Sequence, residues 1–228
     1  MNPAFCLLVV AKAPVPGFAK TRLCPPATWR QAAEIAAASL LDTLDAVLAT
    51  PGAIPVVAMT GELTGAARSG EIFRALQATT VFTQRGWDFA SRLANAHADT
   101  TALHTNLPVV QIGMDTPQVT AEILAAAAEP LLRGGREAVL GPAEDGGWWT
   151  LGLRDPRHAQ VLREVPTSQD DTGELTLRAL AANGLKIETL PVMSDVDTMA
   201  DADRVAKLRP SHRFAAAVAA VRGKETVA

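Results

Sequence analysis

Val9–Leu23 reads V-V-A-K-A-P-V-P-G-F-A-K-T-R-L. It continues an apolar run from Phe5 to Ala11, long enough for one buried strand, and then breaks at Pro14, Pro16 and Gly17. The break carries Lys12, Lys20 and Arg22. In open α/β sheets ligands gather outside the carboxyl ends of strands. A glycine there lets the backbone approach a ligand, and Lys and Arg supply charge-assisted hydrogen bonds to phosphate. The stretch predicts a strand followed by an anion-binding loop. Taken alone, a solvated basic loop would read the same way; carboxylates further along the chain separate the two.

The bulk properties narrow the field. A chain of 228 residues suits one α/β domain or two very small ones, and 48% hydrophobic residues can bury a real core. The formal charge of −3 argues against a nucleic-acid binder, whose footprint would be broadly basic. The local cations therefore suit a small anionic ligand. Cys6 and Cys24 do not have metal-ligand spacing and are expected to be reduced, in a cytoplasmic protein. The first apolar run is too short and too quickly broken for a signal peptide, and no segment approaches a membrane span, so no membrane partner is expected.

Strand and helix patterns alternate along the chain. Thr28 to Thr50 reads as an Ala/Leu helix with Thr28 as N-cap and Pro51-Gly52 as its stop. Strands are expected at Ile54–Met59, Thr79–Thr83 and Leu107–Ile112, with loop or a brief helix at Gly61–Gly70 and a helix over about Trp87–Leu103. A helix capped by Thr120 runs to about Arg133. The strands Ala138–Gly141 and Trp148–Leu153 are joined by a turn too short for a crossover, which predicts an antiparallel excursion. Helix Asp171–Ala182, strand Lys186–Val192 and helices Thr198–Leu208 and Arg213–Arg222 complete the pattern. Such alternation implies a mostly parallel sheet with helices on both faces.

Four clusters could carry chemistry. Asp115, in Gly113-Met114-Asp115-Thr116-Pro117, follows a buried strand, where a carboxylate is a ligand or a cap. Gly141-Pro142-Ala143-Glu144-Asp145-Gly146-Gly147-Trp148-Trp149 joins two acids to a turn and two tryptophans. On a strand adjacent tryptophans face opposite sides, so one packs in the core and the other is free to line a pocket. Asp195 and Asp197 point the same way along extended chain and repel unless a cation sits between them; Mg²⁺ or Mn²⁺, which prefer oxygen ligands and phosphate, are natural partners. Alternatively, Asp197 or Thr198 caps the next helix. Gln84-x-Gly86-x-Asp88 with Arg92 could read a base edge or be a plain strand–loop–helix turn. A P-loop is excluded, because Ala19 precedes Lys20 and the first glycine is missing; no G-x-G-x-x-G follows the first strand, and the histidines form no nucleophile pair.

The order A-K-A-P-V-P-G-x-x-K-T-R-L, Q-x-G-x-D-x-x-x-R-L, G-x-D-x-P, G-P-A-E-D-G-G-W-W and D-V-D-T, from Leu8 to about Val205, resembles the glycosyltransferase-A-like selenodomain-associated transferases. These have the nucleotide-diphospho-sugar transferase fold. More distantly the order is similar to the 2-phospholactate guanylyltransferases and the molybdenum-cofactor nucleotidyltransferases. The resemblance implies a GT-A three-layer α/β/α sandwich spanning the chain. It places Ala11, Lys12, Gly17, Lys20 and Arg22 around nucleotide phosphates, and Gln84 and Gly86 by the base. Asp115 corresponds to the metal-binding acid of a D-x-D motif whose first acid is Gly113 here. With Asp195 and Asp197 it would hold Mg²⁺ or Mn²⁺. Glu144, Asp145 and Gly146 would border an acceptor pocket walled by Trp148 or Trp149. Lys20, Arg22, Asp115 and Asp145 form the implied catalytic set.

The implied activity is metal-dependent transfer from a nucleotide or nucleotide-sugar to a small-molecule acceptor. The Lys-x-Arg loop and the late aspartates favour nucleotidyl transfer from a triphosphate to a phosphorylated acceptor. The fold and the tryptophan pair favour glycosyl transfer. A nucleotide-binding protein without catalysis is the third reading.

Overall fold

The computed structural model describes residues 4–223. Its strands are β1 (Phe5–Lys12), β2 (Ala53–Thr60), β3 (Thr80–Thr83), β4 (Val109–Gly113), β5 (Ala138–Pro142), β6 (Trp148–Leu153) and β7 (Ile187–Thr189). They form one sheet in the order β3-β2-β1-β4-β6-β5-β7. Only β6 runs against its neighbours, β4 and β5, which is the antiparallel excursion expected from the short Pro142–Gly147 connection. The helices are α1 (Trp29–Ala49), α2 (Ser69–Leu76), α3 (Phe89–Leu103), α4 (Ala121–Arg133), α5 (Thr172–Ala182), α6 (Met199–Leu208) and α7 (Arg213–Arg222).

β1 is apolar at successive positions because both its faces are covered. Phe5, Leu7, Val9 and Ala11 pack into the core shared with α1, α2 and α4. Cys6, Leu8 and Val10 pack into the opposite core with α3, α5 and the 3-10 run Pro156–Glu164. α1 is apolar nearly all round, and the reason is a third cluster. Its outer side (Ala32, Ile35, Ala38) packs on α6 and α7 through Val205, Phe214 and Val218. Asp42, on the same helix and buried, accepts the Phe214 N–H at 2.8 Å and Arg213 Nη1 at 3.1 Å, so it caps α7 from a neighbouring element.

Local signals hold at most boundaries. Thr28 caps α1 in a capping box with Gln31, Asp88 caps α3 and Thr120 caps α4. The departures have physical causes. α2 begins at the end of the Gly61–Gly70 stretch, where loop or a brief helix is expected, and runs on to Leu76; its buried residues are only Ile72 and Leu76, one turn apart. β7 stops at Thr189, three residues short of the expected end. Pro191 cannot donate, and pairing continues only through isolated contacts such as Leu190 N to Leu140 O at 2.9 Å and Met193 N to Pro142 O at 3.1 Å. The 3-10 run Pro156–Glu164 carries no helical period that sequence reading could detect. Among the described residues no helix is long and apolar enough to cross a membrane.

His97 of α3 is fully buried, with the Gln111 amide beside it but no well-formed hydrogen bond to either ring nitrogen. Burial pushes its pKa from 6.5 down to about 4. Below pH 6.5 the unfolded chain takes up a proton that the folded chain refuses. Stability therefore falls as pH drops through the 6.5–4 window, by about 3 kcal/mol in all. Urea denaturation at several pH values, compared between wild type and His97→Leu, should show this part of the slope absent from the variant.

Candidate active site

A cavity of about 540 Å³ opens at the carboxyl ends of the central strands. β1 delivers Ala11 and Lys12 to its wall, the following loop delivers Lys20 and Arg22, and β4 delivers Gly113 and then Asp115. The sheet order puts β1 and β4 side by side and parallel, so residues a hundred apart meet at one edge. Asp195 and Asp197 arrive from the far end of the chain. Their segment is tied down by Val196 N to Asp115 O at 3.1 Å and by Gln118 Nε2 to Ser194 O at 2.6 Å. Thr198, not Asp197, caps α6, with Asp201 closing the capping box, which leaves Asp197 free for the cavity.

Lys20 sits at the centre. Its Nζ lies 2.9 Å from Asp115 Oδ2 and 3.1 Å from Asp197 Oδ1, and Arg22 Nη1 lies 3.4 Å from Asp197 Oδ2. Burial alone would lower the Lys20 pKa, but the Asp115 and Asp197 charges outweigh it and hold the ammonium above its ordinary value. Lys20 itself has left-handed backbone (φ +49°), a strained conformation for a side-chain-bearing residue that places its ammonium between the two acids. Asp195 is the opposite case. Burial first, then the like charges of Asp115 and Asp145, push its pKa up to about 8, and its Oδ1 is buried without a hydrogen-bond partner.

An ammonium thus lies between Asp115 and Asp197 in this structure. Among the described residues no three His, Cys, Asp or Glu side chains converge as a ready-made metal centre. The donor set nevertheless fits a hard cation. Asp115, Asp195 and Asp197 offer only oxygen, and the orphaned Asp195 Oδ1 is a buried acceptor in want of positive charge.

The other expected residues divide into lining and shaping groups. Gln84, Asp145, Trp148 and Trp149 line the cavity. Gln84 Nε2 donates to Ala11 O at 2.9 Å and Ala58 O at 2.8 Å, which leaves its carbonyl oxygen for a ligand. Trp149 is the core tryptophan, its Nε1 bonded to Pro191 O at 3.0 Å, and Trp148 is half-buried at the wall. Gly17, Gly86, Glu144 and Gly146 do not line the cavity. Gly17 packs on Trp29. Gly86, at φ +141°, lies against the first turn of α3, where a Cβ would meet Arg92 N at 2.8 Å. Glu144 is drawn away by Arg204 at 3.0 Å. Gly146 turns the chain against the Asp170 carbonyl. Sequence reading missed Phe18, Phe89, Gln111 and the segment Thr167–Gln169, all on the wall. Nothing local marks that segment.

Comparison with known proteins agrees with this fold. No curated protein matches the chain. The crystal structure of a protein from Desulfovibrio desulfuricans G20, provisionally assigned as a nucleotide-diphospho-sugar transferase, is 26% identical, with a TM-score of 0.81 over 99% of this chain and 96% of that one. CMP:2-keto-3-deoxy-manno-octonic acid synthetase, solved with CTP, superposes with a TM-score of 0.54 at 12% identity, over 91% of this chain and 99% of that one. 4-Diphosphocytidyl-2C-methyl-D-erythritol synthase gives 0.55 at 15% identity, again over 91% and 99%. At 12% and 15% the likeness is one of fold alone, and the 26% identical structure gives that fold as the GT-A-like nucleotide-diphospho-sugar transferase fold. Residues 43–169 match the family described as an uncharacterized protein conserved in bacteria (DUF2064), and the chain belongs to that family.

Proposed function

We propose that the protein is a nucleotide-dependent transferase, with nucleotidyl transfer from a nucleoside triphosphate as the leading reaction. The observation that carries this reading is the Lys20 ammonium held between Asp115 and Asp197 at the joint end of β1 and β4. The relatives of like fold named above include one solved with CTP. Lys12, Lys20 and Arg22 bind the β- and γ-phosphates and orient the chain for in-line attack. The acceptor oxygen bonds to the α-phosphorus as the bond to the bridging oxygen breaks, and pyrophosphate leaves. Lys20 and Arg22 meet the charge that develops on it. Where the acceptor is a hydroxyl, Asp145 receives its proton; the Gly147 N–H, 2.9 Å from Asp145 Oδ1, fixes the carboxylate on the wall. Asp115, Asp195 and Asp197 would hold Mg²⁺ or Mn²⁺, which when bound supplies positive charge to phosphate oxygens. Positioning and electrostatics carry the rate, as is usual in phosphoryl chemistry.

Glycosyl transfer from a nucleotide-sugar is the second reading, favoured by Trp148 at the wall. Thermal unfolding with each triphosphate and a set of nucleotide-sugars, with Mg²⁺ and with EDTA, tests both. A bound ligand raises the unfolding temperature by mass action. Stabilisation by one triphosphate that needs Mg²⁺ is the expected result. Stabilisation by a nucleotide-sugar alone would transfer the reading to glycosyl chemistry. Binding indifferent to EDTA would favour a binder without catalysis.

A further inference from the structure

The segment Thr167–Gln169 lies on the cavity wall, and nothing above gives it a task. It is a built surface. Thr172 Oγ1 accepts the Gln169 N–H at 3.1 Å and donates to Pro166 O at 3.0 Å, which closes the loop on itself. Gly173 N donates to Gly146 O at 2.8 Å. A Cβ at Gly146 would strike the Asp170 carbonyl, and one at Gly173 the Gly147 carbonyl, so the loop and the Asp145–Gly147 turn are locked together. Within the described residues the side chains of Thr167, Ser168 and Gln169 make no hydrogen bond of their own.

The charges on the cavity are divided. Its cations, Lys12, Lys20, Arg22 and Arg92, come from the end of β1, the loop after it and α3. β4, β6 and the Thr167–Gln169 segment contribute none, while Asp145 and Asp195 stand near them. A phosphate on this side would meet carboxylates and neutral groups. Two hydroxyls and a carboxamide both donate and accept, and the half-buried Trp148 offers an apolar face beside them. That combination matches the O–H and C–H surfaces of a sugar or polyol.

We propose that Thr167, Ser168 and Gln169, with Trp148, form the acceptor subsite, and that the acceptor is an uncharged polyhydroxylated molecule with no phosphate at the end bound here. The inference rests on the transferase reading. It departs from the phosphorylated acceptor that the sequence suggested, because neither β6 nor the Thr167–Gln169 segment supplies a cation to the cavity.

Saturation-transfer NMR on the full chain tests it, with Mg²⁺ and the triphosphate that stabilises best. The probes are methyl α-D-glucopyranoside, glycerol and myo-inositol, each set against glucose 6-phosphate. The expected result is saturation of at least one neutral probe that exceeds that of glucose 6-phosphate. It should fall several-fold in Ser168→Ala or Gln169→Ala, with the nucleotide's thermal shift unchanged in both. Stronger saturation of glucose 6-phosphate, no saturation of any neutral probe, or signals untouched in both variants would overturn the proposal. If the nucleotide shift is present in that case, only the acceptor assignment fails. If no nucleotide shifts the protein, the transferase reading fails and takes this one with it.

Discussion

Asp115→Asn is expected to lower nucleotide-dependent turnover by about 10²–10³-fold or more while leaving the unfolding temperature unchanged or slightly raised. The two effects come from one arrangement. Asp115, Asp145, Asp195 and Asp197 share one cavity, and Lys20 is the ammonium between two of them. The substitution gives up the Lys20 contact at 2.9 Å but removes the like charge that Asp115 sets against Asp195, and Lys20 keeps Asp197 at 3.1 Å. A residue kept for structure would behave otherwise, since the ion pair lost would not be offset by relief of like charge. Steady-state pyrophosphate release and thermal unfolding on the same preparation separate the cases. Unchanged turnover would remove Asp115 from the site, and a fall of many degrees would make it a structural residue.

Gly146→Ala should lower stability by about 3 kcal/mol or more, a fall on the order of 10 °C in Tm, and remove activity with it. Gly146 has φ +86°, and its added methyl would collide with the Asp170 carbonyl. The collision is with backbone, so no rotamer change relieves it. The segment displaced is the one that carries Thr167, Ser168 and Gln169 to the cavity. Gly65→Ala is the control. Gly65 has a similar φ of +77° but nothing within 4 Å of the added methyl, so it should cost only about 1 kcal/mol. Equal losses in the two variants would mean that backbone conformation, and not the close approach to Asp170, governs Gly146.

Much of the architecture could be read from local pattern. The β1 run, the Thr28 and Thr120 caps and the short Pro142–Gly147 turn each have a cause within a few residues, and each reappears in the structure. The convergence of Lys20, Asp115 and Asp197 depends instead on strand order, which puts β1 beside β4, and on hydrogen bonds from Gln118 and Val196 that no local pattern announces. Their meeting was suggested by a family resemblance, and spacing could not have supplied it. The Lys20 contact was also hidden: nothing in Asp195-Val196-Asp197 says that the ammonium of a residue 177 positions away reaches Asp197. Glu144, which the resemblance put at the border of the acceptor pocket, is engaged by Arg204, a partner that no local pattern announces. The Thr167–Gln169 wall was missed because it depends on glycine-to-carbonyl packing between two distant segments.

The central claim is that these aspartates hold a divalent cation over nucleotide phosphates while Lys20 turns to the phosphates. Crystals grown with Mn²⁺ and the best-stabilising triphosphate would test it through the anomalous signal of the metal. The account predicts a manganese peak in contact with Asp115 and at least one of Asp195 and Asp197, with the phosphates beside it and Lys20 Nζ moved onto a phosphate oxygen. A nucleotide bound with no manganese at these carboxylates, and Lys20 still bridging Asp115 and Asp197, would contradict it.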